Sequence, residues 1–137
     1  MKCSRLAVVW GAAAALAAIV NVAPVRAHHS FAAEFDSDKP VTVKGVITSV
    51  RLENPHSWFF LDVTTAGGKV EKWSFEASTP TSLIRSGIKP GFIKAGDHVT
   101  IKGYHARDAA SNAGAARELQ MADGRAFAVG PTVGPQR

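Results

Sequence analysis

VTVKGVITSVRLENPHSWFFLDV, residues 41–63, decides the fold. Val41 and Val43 alternate with Thr42 and Lys44, which is the period of a strand with one buried face. Beyond Gly45 the apolar positions are Val46, Val50 and Leu52, so the phase slips. The slip predicts a β-bulge or sharp bend at Gly45, where glycine accepts the backbone angles and twist required. Glu53, Asn54 and Pro55 end this strand, because proline has no N–H to give a ladder and holds Asn54 away from helix. His56 opens a second strand with Phe59, Leu61 and Val63 on one face and His56, Trp58, Phe60 and Asp62 on the other. Both faces carry aromatics, so neither reads as ordinary solvated surface.

Working outward, Thr64 to Lys69 contains Gly67-Gly68, a hairpin signal. Val70 to Ala77 is a third strand, with Trp73 and Phe75 opposite Lys72, Ser74 and Glu76. Ser78 or Thr79 caps a short helix whose first turn takes Pro80, and Gly87 ends it. Phe92 and Ile93 are expected to plug the core from the following loop. His98 to His105 is a fourth strand, with Val99 and Ile101 on its apolar phase. Residues 115–121 and 125–129 form a broken fifth strand bent at Asp123-Gly124. This order predicts an all-β fold, a small five-stranded Greek-key barrel of the oligonucleotide/oligosaccharide-binding (OB) kind, with one short helix between strands 3 and 4. Barrel closure also removes the pairing edges that five short strands would otherwise expose.

The chain divides into four parts. Residues 1–27 read as a Sec-type signal peptide: Lys2 and Arg5 precede an Ala-rich apolar run, and Val25-Arg26-Ala27 fits small-x-small cleavage. Residues 28–40 are a lead-in, in which Phe31, Ala32 and Phe35 pack on the barrel or form a helical turn and Asp36 to Pro40 is turn chemistry. The barrel spans 41–130, and 131–137 is a flexible tail. The expected location is therefore periplasmic or secreted, with no membrane span after cleavage. Lys2, Arg5 and Arg26 supply three of the sixteen basic residues, which leaves thirteen against eleven acids. That small, dispersed excess argues against nucleic-acid binding, which needs a concentrated basic stripe. The single cysteine, Cys3, lies in the signal, so the processed chain has no thiol for a disulfide, a thiolate metal site or a nucleophile.

Histidine carries what chemistry the sequence offers. Cleavage after Ala27 gives His28 both a free α-amine and an imidazole, a bidentate nitrogen site that suits copper above other divalent ions. The candidate metal ligands are His28, His29, His56 and His105, against the plainer reading that paired histidines at a terminus are simply solvated. His98, on the polar phase, is read as surface. Asn54, His56 and Trp58 are the candidate ligand-binding residues, since OB barrels bind through the loop between strands 1 and 2. The plainer account has Asn54 capping the turn and His56 bonding a carbonyl. Trp58, Phe60 and Tyr104 make an aromatic face, either a stacking platform or a surface covered by the lead-in through Phe31 and Phe35. No catalytic residue is assigned, because Glu53, Asp62, Glu71 and Glu76 fall on separate strand positions and no Ser–His–acid order appears. The leading expectation is a non-enzymatic binding module for a ligand the sequence does not name, with a copper or other transition-metal ion held by histidines as the candidate it offers. The alternatives are an envelope protein-interaction module and a copper-dependent oxidative enzyme built on the terminal histidine.

Four motifs occur in order: Ala27-His28-His29-Ser30-Phe31, Asn54-Pro55-His56-Ser57-Trp58, Trp73-Ser74-Phe75-Glu76, and Gly96-Asp97-His98-Val99-Thr100-Ile101-Lys102-Gly103-Tyr104. Together they resemble a family of small exported bacterial proteins of unknown function, over Ala27 to about Gly130. The resemblance implies export and an OB-type barrel. It brings no activity and no catalytic residues.

Overall fold

One strand, β1 (Phe35–Arg51), is long enough to serve two neighbours in turn. In the computed structural model, which describes residues 31–131, its first half pairs antiparallel with β4 (His98–Ala106), with Val43 opposite Ile101. Its second half pairs with β2 (Ser57–Thr64), with Val50 opposite Phe59. β2 runs through the Gly67-Gly68 turn into β3 (Val70–Ala77), and β4 pairs antiparallel with β5 (Ala113–Met121). A short parallel pairing of β3 with β5, Ser74–Glu76 against Ala113–Ala115, closes a ring of five strands. The ring order β1-β2-β3-β5-β4 is that of the expected barrel. β6 (Ala126–Ala128) adds to the outer edge of β5. The preceding turn α1 (Phe31–Glu34) leads into β1, and α2 (Pro80–Arg85) lies between β3 and β4.

The inner phase of these strands makes the core. Ile47, Phe59, Leu61, Phe75, Ile101 and Leu119 are buried, each contributing about 2 kcal/mol of transfer free energy. Thr79 caps α2, its hydroxyl accepting the Ser82 N–H at 3.3 Å. The helix thus sets Leu83 into the same core as Ile88, Ile93 and Val129. Phe92 is half-buried against that core and packs edge-on to Phe127 at 5.4 Å.

Two sequence expectations are corrected here. The bulge is not at Gly45: Val43 and Ile47 share the buried phase across it, and the β1–β2 register jumps between Ile47 and Ser49. Thr48 is the extra residue. Gly45 has another cause, since a Cβ there would stand 2.6 Å from the Asp62 carbonyl oxygen. Nor does the chain turn away over Asp36 to Pro40, because β1 already begins at Phe35. The local turn chemistry survives as a break in the β4 pairing between Phe35 and Pro40, where the Asp36 carboxylate accepts the Asp38 N–H at 3.1 Å.

Among the described residues no helix is long and apolar enough to cross a membrane. The signal peptide expected over 1–27, His28 and His29, and tail residues 132–137 lie outside the described residues.

Candidate functional site

The outer face of β2 and β3 brings together two of the three residues expected to bind a ligand, His56 and Trp58. Pairing about the Gly67-Gly68 turn sets Trp58 opposite Glu76 and Phe60 opposite Ser74. On the other side of β2, Arg51 stands opposite Trp58. Outward along one row of the barrel therefore lie Arg51, Trp58 and Glu76, then Ala115 and Tyr104 across the β3–β5 and β5–β4 pairings.

His56 sits just before β2, on the phase of Trp58, and reaches across to this row. Its Nδ1 lies 2.5 Å from the Glu76 Oε1, a distance at which Nδ1–H donates to the carboxylate. The Glu76 side chain is 14% exposed and that of His56 is 41% exposed. Burial pushes the Glu76 carboxyl above its ordinary value; the charge and hydrogen bond of His56 pull it back, and the Glu34 carboxylate raises it further. The last influence brings α1 into the site, because Glu34 must lie near enough to act on Glu76. With Nδ1 engaged, Nε2 is the ring nitrogen left to other partners, the side on which a carboxylate-supported histidine takes a metal or a proton.

His105 is held differently. Its neighbour Tyr104 faces outward and meets the Phe31 ring edge-on at 6.0 Å, so His105 falls on the other phase, against Trp73 at 5.7 Å. Its Nδ1–H donates to the Ala106 carbonyl at 2.7 Å. The barrel wall thus separates the His105 ring from the His56–Glu76 pair. His98 is exposed, as expected. Asn54 is exposed in the connection between β1 and β2, at a cis Asn54–Pro55 bond. Among the described residues no group of three or more His, Cys, Asp or Glu side chains is arranged to hold a metal.

The aromatic face is divided rather than covered throughout. The lead-in packs on Tyr104 through Phe31, which also meets Phe35 at 5.3 Å. Trp58 and Phe60 are half-buried against each other at 6.4 Å with planes 23° apart, and the Arg51 guanidinium lies 5.1 Å from the Phe60 ring centre.

The His56–Glu76 pair was missed by reading positions along the chain. Its signal was the hairpin: a turn centred on Gly67 pairs residue 58 with 76, and so brings His56 next to Glu76 on one face.

Residues 15–116 match the family described as a family of unknown function (DUF6152). The chain belongs to this family. No curated protein and no solved structure matches it.

Proposed function

We propose that this DUF6152 protein is an exported, non-enzymatic binding module that takes one transition-metal ion, copper foremost, at the His56–Glu76 corner. The observation that carries the reading is the 2.5 Å contact of His56 Nδ1 with Glu76, which fixes the ring and leaves Nε2 as the donor. Nitrogen donors from the terminus complete the set. The Glu34 carboxylate acts on Glu76, which brings the α1 end of the lead-in toward this corner. Phe31 is separated from His28 by three residue steps, a reach of about 10 Å when extended. Processing after Ala27 would free the His28 α-amine beside its own imidazole. With His56 Nε2, these would offer three nitrogens, a donor set that ranks Cu(II) above Zn(II).

Calorimetric titration of Cu(II) and Zn(II) tests this on protein with a native His28 terminus, on the same protein with one residue added before His28, and on His56→Ala. Stoichiometric copper binding is expected in the first and a loss of tenfold or more in the other two. Equal, weak binding in all three overturns the reading. The Arg51, Phe60 and Trp58 cluster would then favour an envelope-protein contact, for which Trp58→Ala should abolish partner capture.

A further inference from the structure

We propose that a groove at one end of the barrel binds an amphipathic anion: the alkyl chain of a free fatty carboxylate lies on Val50, Leu52, Ile88 and Ile93, and its head meets Lys89. The groove runs between the end of β1 and the loop that follows α2, and its volume of about 340 Å³ falls within the range of small-molecule sites. Ile88 and Ile93 are buried and form its floor. Val50 and Leu52 pack on the core cluster but are only half-buried, so aliphatic surface stays open where β1 ends.

The loop is fixed before any ligand arrives. The Ile88 N–H donates to the Leu83 carbonyl at 2.9 Å, and the Phe92 N–H donates to the Lys89 carbonyl at 3.0 Å across a turn in which Gly91 takes a φ of 77°. Further along, the Gly96 N–H donates to the Ile47 carbonyl at 2.8 Å and the Ile47 N–H to the Asp97 carbonyl at 2.9 Å, which ties the loop back to β1. A groove held in this way loses little conformational entropy on binding.

The lining selects its ligand by what it contains and what it lacks. Among the described residues that line the groove are Lys89 and Lys94 and no acid, which favours a negative head. Lys94 is already engaged: its Nζ lies 3.8 Å from the Asp97 Oδ1, and its backbone N–H donates to the Asp97 Oδ2 at 2.9 Å. The Lys89 ammonium has no partner among the described residues, which leaves it to pair with a carboxylate. No aromatic side chain is among the lining residues either, so a flat ring has nothing to stack on, whereas an alkyl chain matches the aliphatic walls. None of these residues belongs to the His56–Glu76 corner, so the inference stands independently of the metal reading.

Methyl-detected NMR titration with decanoate, kept below its micelle concentration, tests this, with acetate, hexanoate and decylammonium as comparisons. Decanoate should give saturable shifts at the Leu52, Ile88 and Ile93 methyls, and affinity should rise from acetate to decanoate by up to about fourfold per buried methylene. Lys89→Ala should weaken decanoate about fivefold and spare decylammonium, and Lys89→Glu should reverse the preference between the two. Equal binding of decanoate and decylammonium, or no effect of Lys89→Ala, overturns the inference. So do shifts that never saturate or that spread over the whole surface, and binding to phospholipid vesicles without binding to monomeric decanoate. NMR contacts to these methyls from a second copy, or from residues outside 31–131, in a protein that does not bind decanoate would make the chain itself the occupant and overturn it as well.

Discussion

Glu76 concentrates the chemistry of the outer face in one carboxyl. Burial raises its pKa first, Glu34 raises it further, and His56 opposes both. A carboxyl whose folded value exceeds its unfolded one favours folding most when protonated. Its contribution is complete below the unfolded value and is lost as pH rises through the folded value. In a carbon-detected NMR titration the Glu76 midpoint should therefore lie above that of an ordinary glutamate. His56→Ala should raise it again, because the opposing charge and hydrogen bond go. A midpoint that falls in His56→Ala would show that His56 does not stabilise the ionised form. Glu76 was visible in the sequence only as one acid among several, since its burial and partner both depend on a strand pairing. Its position on the polar phase of β3, by contrast, followed from simple alternation of Trp73 and Phe75 with Ser74 and Glu76.

Among the elements, β1 shows both how far periodicity carries and where it stops. The strand, its end at Glu53 to Pro55, and the slip of phase were all legible from residues 41–63. The site of the slip was not, because Val46 is apolar but only half-buried, while the core positions Val43 and Ile47 keep step across Gly45. A glycine in a strand signals either a bulge or the close approach of another backbone, and only three-dimensional neighbours separate the two. Gly103 on β4 is the severer case, since an added Cβ would stand 1.9 Å from the Ala115 carbonyl oxygen, where the β4–β5 register shifts. The obstruction is backbone, so it cannot be relieved by a change of rotamer. Gly103→Ala should cost about 3 kcal/mol or more in urea denaturation, in the upper range for overpacking. Gly67→Ala, where nothing lies within 4 Å, should stay within about 0.5 kcal/mol. Similar losses for the two would remove steric contact as the reason for glycine at 103.

The whole barrel depends on a closure that the strand order implies but no local pattern places in register. Five strands and their order can be read from local signals, but the parallel β3–β5 pairing joins residues far apart in the chain and covers only three register positions. By comparison, β1 and β4 stay in register from Pro40 to Val46. The short seam is the weak side of the ring. It also lies in the row that ends at Tyr104, where Phe31 packs, and Glu34 acts on its member Glu76, so α1 serves as a brace over the closure as well as the approach to the proposed site. Protection against hydrogen exchange follows local stability. Hydrogen-bonded amides in Ser74–Glu76 and Ala113–Ala115 should therefore exchange faster than those of the Val41–Val46 ladder. Replacing Phe31 by alanine should accelerate the seam further and leave the ladder unchanged. If seam and ladder exchange together in both proteins, the barrel opens as one unit and the lead-in does not brace its closure; if only the seam responds, the short turn that leads into β1 also keeps the ring shut.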